Sequence, residues 1–268
     1  EFRILQLTDL HFTNADAEDK KTAELMLELL HRTEPDLTVL TGDTVYGTKN
    51  RELTSWVCDI MDSYAKPWTF CFGNHDTEEP HGGSRQEIFD HFLANSKYCI
   101  ASDMHPDGPG VGDHRIDLNL NGKTPWSIYV IDSGDYMLED KDYYDYVKPE
   151  QIAWMRDDLK NLSDETQVLV FLHIPLPEYD ILFKANTFHG LALEAVCSPP
   201  LNSGLFSVLL ESGRCRGVFC GHDHINNFYG ELLGIALVYG QASGYGTYST
   251  RGFKRGGRVI TLDPKMAR

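Results

Sequence analysis

Five apolar runs in this chain each end on residues with acid, amide or imidazole side chains, and that recurrence restricts the fold more than any other feature. FRILQLT is followed by Asp9-Leu10-His11, and LTVLTG by Asp43. WTFCFG leads to Asn74-His75-Asp76, VLVFL to His173, and VFCG to His222-Asp223-His224. Each run has the length and β-branched or aromatic content of a buried strand. Open α/β sheets place their ligands just beyond the carboxyl ends of the strands. A chain with five such ends therefore reads as a scaffold that gathers them at one edge.

The segments between these runs support this reading. Residues 18–31 carry Leu25, Met26, Leu29 and Leu30 on one apolar stripe, which predicts a helix. Helices are also predicted over 51–64, 84–95, 149–161 (opened by Pro149) and 203–212, and a further strand over 127–132. Residues 97–125 hold turn-formers between alternating runs and predict antiparallel hairpin strands. The tail, 225–262, reads as Gly-separated strands. Alternation first and antiparallel character later imply an α/β domain of two packed sheets with helices outside, spanning residues 1–268.

The chemistry of the strand ends points to a pair of metal ions. Two cations held close together need a bridging carboxylate and several flanking ligands. Mixed imidazole and carboxylate donors suit Fe, Mn or Zn better than Ca or Mg. Two carboxylates, Asp9 and Asp43, against two divalent ions would leave a site of roughly +2, suited to a phosphate. A bare D-x-H occurs by chance about once in a chain this long, but G-N-H-D and G-H-D-H are each far rarer, and five segments in order exceed coincidence.

In that order, D-x-H, G-D, G-N-H-D, H, G-H-D-H, the chain resembles the calcineurin-like metallophosphoesterases. VIDSGDY, KPEQIAWM, FLHIPLPEYD, LNSGLF and GHDHINNFYGEL resemble the purple-acid-phosphatase-like branch of plants, fungi and microbes. The resemblance runs over about residues 2–262. It implies a four-layer α/β/β/α sandwich of two mixed sheets flanked by helices. It also implies two metal ions per chain, Fe, Mn or Zn: Asp9, His11 and His224 on one, Asn74, His173 and His222 on the other, Asp43 bridging. His75 would face the substrate, with Asp76 beside it as a second catalytic candidate. Purple acid phosphatases have Gly where this chain has His11, and an Fe(III)-binding Tyr where it has Tyr46. Tyr46 is thus an extra ligand, a partner of His75 or a wall residue; His11 favours a non-ligand, without the Fe(III)–tyrosinate colour.

The implied reaction is hydrolysis of a small phosphoester, above all a monoester, by in-line attack of a metal-bridging hydroxide. A phosphodiesterase acting on nucleotides or lipid head groups uses the same core. A protein phosphatase, or a catalytically silent interaction module on the same fold, are further alternatives.

The balance of 24 basic against 40 acidic residues argues against a broad nucleic-acid-binding face. No run of about 18 apolar residues marks a membrane span. The chain opens on Glu1 without a signal-peptide pattern, as expected of a trimmed chain; oligomeric state and compartment are not legible. Six cysteines form no CxxC pair, and Cys71 and Cys220 read as buried thiols. The lone sequon Asn161-Leu162-Ser163 decides nothing. His31, His91 and His105 read as packing or surface residues, while His81, His114 and His189 lie in loops that could reach the rim. Asp132, Asp135, Glu194 and Asn202 stand as residues near the centre or the substrate. Residues 136–146 read as a solvent-facing loop with packed rings, and Arg251, Lys254, Arg255 and Arg258 as a charged strand edge.

Overall fold

A computed structural model describes residues 1–263 apart from Thr48, residues 79–82 and Glu139; His81 therefore lies outside the described residues. One sheet has the order β10-β1-β2-β3, formed by β1 (Phe2–Leu7), β2 (Leu37–Thr41), β3 (Trp68–Cys71) and β10 (Arg258–Leu262). Its first three strands are parallel, and β10 runs antiparallel along the edge of β1. The second sheet comprises β4 (His114–Leu120), β5 (Lys123–Val130), β6 (Gln167–Phe171), β7 (Cys215–Cys220), β8 (Tyr229–Leu232) and β9 (Ile235–Tyr239), in the order β4-β5-β6-β7-β9-β8. Its central four strands are parallel, and β4 and β8 close the edges antiparallel.

The sheets pack face to face through Ile4, Val39, Cys71, Ile128, Val130, Leu169, Phe171, Phe219 and Val238. Helices α1 (Ala17–Thr33), α2 (Asn50–Tyr64) and α3 (Arg85–Asn95) cover the outer face of the four-stranded sheet. Helices α4 (Pro149–Asn161), α5 (Glu178–Ala185) and α6 (Leu205–Ser212) cover the six-stranded one. This is the expected α/β/β/α sandwich of two mixed sheets. Strands covered on both faces must be apolar throughout, which is why β2, β3 and β6 are buried at every residue.

Local chemistry sets most boundaries. Asp16 caps α1 by accepting from the N–H groups of Glu18 and Asp19, and Ser84 and Glu87 form a capping box on α3. Asn121 and Gly122 both take positive φ (52° and 78°), the two-residue turn that matches hairpin twist, so β4 and β5 form the hairpin the turn-formers predict.

Several expectations are corrected. Residues 97–113 hold no strand, because the hairpin begins only at His114. The buried positions of α1 are Asp19, Thr22, Ala23, Met26 and Leu30, with Leu25 and Leu29 half-buried, since the helix rolls toward its small residues. Helix α5 was not anticipated. All six cysteines are unpaired. No described helix is long and apolar enough to cross a membrane.

Phe171 stacks on Phe219 between the sheets at 4.8 Å, two residues before His173. Phe171→Ala is expected to cost about 3–5 kcal/mol. Urea unfolding should show the midpoint falling accordingly; an unchanged midpoint would mean that the inter-sheet layer repacks freely.

Candidate metal centre

All the expected ligand residues meet at one edge, where β1, β2, β3, β6 and β7 end. Asp9, His11, Asp43, Asn74, His173, His222 and His224 are each at most 7% exposed. Donor atoms of Asp9, His11, Asp43 and His224 lie within 4.8 Å of one another, and so do those of Asp43, His173 and His222. Asp43 is common to both groups. One carboxylate oxygen, Oδ2, lies 3.3 Å from His11 Nε2 and 3.3 Å from His173 Nε2. Asn74 Oδ1 lies 3.2 Å from His173 Nε2, on the side of the second group.

Three of these side chains are oriented by a contact on their far side. His173 Nδ1 donates to the Thr41 carbonyl at 2.8 Å, turning Nε2 inward. His224 Nδ1 meets Thr247 Oγ1 at 2.7 Å, and its Nε2 faces Asp9 Oδ1 at 3.3 Å. Asn74 Nδ2 donates to the Tyr136 hydroxyl at 3.0 Å, so the amide oxygen is the atom that points into the cluster.

The backbone is bent to the same purpose. Asp9, His11, Asp43 and His222 all have positive φ, between 46° and 77°. Such strain persists only where surrounding contacts enforce it, and it concentrates at functional sites. Two buried carboxylates supply those contacts. Asp19 accepts the N–H groups of Thr13, Asn14 and Ala15 and holds the turn beyond His11. Asp76 accepts those of Asp43, Thr44, Val45 and Gly73 at 2.7–3.0 Å and clamps two ligand loops together. Asp76 therefore points into backbone rather than toward a substrate, unlike the catalytic place considered for it. Gly73 is needed because a Cβ there would collide with the Asp43 carboxylate.

The polar atoms fit a cation pair. His11 Nε2 and Asp43 Oδ2 are buried, and neither has a hydrogen-bond partner, which is costly unless something else satisfies them. The charges agree. Burial alone would raise Asp9, but His224 pulls it down to about 2. Burial likewise opposes Asp43, yet His173 and His11 hold it well below the carboxylate range. Burial and the charge of His173 push His222 down to about 3, leaving it a neutral donor at pH 7.

Around this floor stand aromatic residues. Tyr46, 41% exposed, meets the His75 ring edge-on at 4.7 Å. Tyr144 packs edge-on to His222 at 4.3 Å, and Tyr248 stacks on His224 at 4.3 Å. The 136–146 segment thus brings Tyr136 and Tyr144 to the site rather than leaving them to solvent. Burial pushes both phenols up to about 12. No spacing rule signals this, because a loop's direction depends on what it packs against.

His75 Nδ1 donates to Glu78 at 2.5 Å. Its backbone N–H donates to Asp43 Oδ1 at 2.9 Å. Glu78 was not anticipated; its only sequence signal is its place three residues after His75.

Other expected residues are deployed differently. Asp132 binds Arg85 at 2.7 Å, and Arg85 also holds the Gly73 carbonyl, bracing the Asn74 loop from behind. Asp135 lies 3.8 Å from the same guanidinium. Glu194 accepts from the Tyr248 hydroxyl and the Ile225 N–H. Asn202 binds Glu178 and caps the turn at Gly204, and His189 packs on Tyr229 of the edge strand β8; neither contact reaches the ligand cluster. His114 is buried within β4, bonded to Thr69 and Gly112, and burial lowers it to about 4. Arg255 and Arg258 are half-buried and bind main-chain carbonyls, so they tie the tail down instead of charging an edge.

Residues 2–226 match the family described as calcineurin-like phosphoesterase. The chain belongs to that family. Among relatives of this calcineurin-like chain, "Probable inactive purple acid phosphatase 29" of Arabidopsis thaliana is 32% identical, the alignment covering 98% of this chain and 77% of the relative. "Probable inactive purple acid phosphatase 14" of the same plant is 33% identical over 97% of this chain and 74% of its own. A dimetal phosphatase from Danio rerio shares the fold, with a TM-score of 0.67 at 16% identity over 96% of this chain and 91% of that one.

Asp76→Ala would leave four N–H groups without an acceptor. It is expected to cost about 3 kcal/mol and to lower Tm by roughly 6–12 °C. Calorimetry checks this, and an unchanged Tm would show that the loops hold without the clamp.

Proposed function

We propose that this calcineurin-like chain is an active phosphoester hydrolase, above all a phosphomonoesterase, with a pair of Fe, Mn or Zn ions as cofactor. The observation that carries the reading is the completeness of the donor set. Seven residues from five strand ends converge, and three of their buried atoms, His11 Nε2, Asp43 Oδ2 and His222 Nε2, have no hydrogen-bond partner. Three relatives are named inactive, and this chain carries a donor at every position the centre calls for.

Asp9, His11 and His224 would hold one ion, Asn74, His173 and His222 the other, and Asp43 would serve both. When bound, the ions supply Lewis acidity for attack by water and positive charge against the phosphoryl oxygens. The protein supplies the rest. Burial keeps the centre dry, which strengthens every charge interaction at the phosphoryl group. His75 stands beside His11 with ring centroids 5.3 Å apart, so its free Nε2 is the nitrogen able to reach the ester. Glu78 accepts the Nδ1 proton, so donation to the leaving oxygen comes from Nε2 of the doubly protonated ring, whose charge Glu78 offsets. Tyr46 backs the ring and keeps it from swinging away. The leaving oxygen takes that proton, and the phosphoryl group passes to water.

Asp43→Asn is expected to lower kcat by about 10²–10³-fold or more while far-UV dichroism stays unchanged. Elemental analysis of the same sample should show lost metal. Wild-type turnover in this variant would refute the shared-carboxylate assignment.

Glu78→Gln separates the role of His75 from that of the metals. Proton donation matters most when the leaving alkoxide is basic, so alkyl phosphate turnover should fall about 10-fold or more, and p-nitrophenyl phosphate turnover much less. Equal losses on both esters would assign Glu78 to the scaffold.

A further inference from the structure

A cleft of about 530 Å³ opens beside the centre, lined by Asn74, Thr77, Glu78, Asp135, Tyr136, Met137, Leu138 and Lys141. We propose that it is the leaving-group subsite, and that it takes an uncharged aromatic group, either an aryl ring or a nucleoside. The inference rests on the hydrolase reading above and deepens it.

The position follows from two shared residues. Asn74 belongs both to the ligand cluster and to the cleft. Glu78 belongs both to the His75 pair and to the cleft. An ester whose phosphoryl group sits on the centre must send its leaving oxygen past His75, and the cleft begins there.

The chemistry follows from the walls. Tyr136 presents an aromatic surface whose orientation is set at both ends. Its hydroxyl accepts from Asn74, and its ring stacks on Tyr144 at 5.7 Å and 27°. Met137 and the 92% exposed Leu138 extend that surface with apolar, deformable side chains. A planar ring gains dispersion and stacking there that an alkyl chain or a bare sugar does not. Charge points the same way. Glu78 and Asp135 flank the cleft, and Lys141 is the one cationic residue among the described residues that line it. Asp135 already lies 3.8 Å from Arg85. A leaving group carrying further phosphates would meet carboxylates with little to offset them. The volume lies in the range that holds a drug-sized ligand.

The test uses metal-loaded protein and pairs of esters with matched leaving oxygens. Adenosine 5′-monophosphate against ribose 5-phosphate differs only in the base. Benzyl against cyclohexylmethyl phosphate differs only in aromaticity. The subsite is expected to favour the aromatic member by roughly 10-fold or more in kcat/KM, the scale of one stacking contact. Adenosine diphosphate should be a poorer substrate than the monophosphate. Met137→Ala with Leu138→Ser should bring the ratio toward one. Preference in the first pair assigns a nucleoside, and preference in the second alone an aryl group. Equal rates within both pairs overturn the proposal while leaving the hydrolase reading intact. No phosphate release from any ester overturns that reading, and this proposal with it. An independent readout needs no turnover: adenosine or benzyl alcohol should give a saturation-transfer NMR signal with the protein, weakened in the double variant. Absence of signal from both also overturns the assignment.

Discussion

A carboxylate at 1% exposure cannot remain charged inside a protein without compensation, and Asp43 is such a carboxylate. Everything around it answers that constraint. One oxygen takes the His75 N–H, and the other faces His11 and His173 without making a hydrogen bond. Its own backbone N–H is held by a second buried carboxylate, Asp76. Two adjacent buried anions repel, and the proximity of Asp43 together with burial raises the pKa of Asp76. The arrangement makes physical sense as a receptacle for positive charge, in which cations turn an expensive cluster into a favourable one.

This requirement explains architectural details that otherwise look arbitrary. Positive φ at four ligand residues lets short turns aim side chains back across the strand ends instead of along them. The N–H groups exposed by those turns need acceptors, and Asp19 and Asp76 provide them from beneath. Arg85 ties the Asn74 loop to Asp132 just beyond β5, so ligand loops of one sheet are anchored on the other. The sandwich is therefore more than a support: its two sheets contribute different donors and must stay in register for both groups to share Asp43.

The surroundings divide the labour of recognition. The clustered acid, amide and imidazole side chains form a uniformly polar floor, while Tyr46, Tyr136, Tyr144 and Tyr248 form its aromatic surround. Arg255, the cationic side chain tied to this rim, binds the carbonyls of His224, Thr247 and Tyr248. Under the proposed hydrolase function, phosphate charge would be met at the floor and by His75, and the aromatic surround would read the remainder of the substrate.

The strand runs, most helices, the hairpin and the residues that converge at the strand ends were legible in the linear order of residues. Burial on both faces forces continuous apolar strands, and metal chemistry admits few residue types at their ends. Contacts between distant segments were not legible. Glu78 looked like one surface acid among 40 acidic residues until its loop turned it onto His75. Tyr136 and Tyr144 looked solvent-facing until the 136–146 loop folded over Asn74 and His222. Asp76 looked catalytic because it adjoins His75, yet the loop's turn sends the two side chains in opposite directions. Sequence alone determined the donor set, since periodicity and ligand chemistry are local properties of the chain. Tertiary structure alone decided which side chains orient, clamp and overlook those donors, because that depends on where loops of unrelated sequence come to rest against one another.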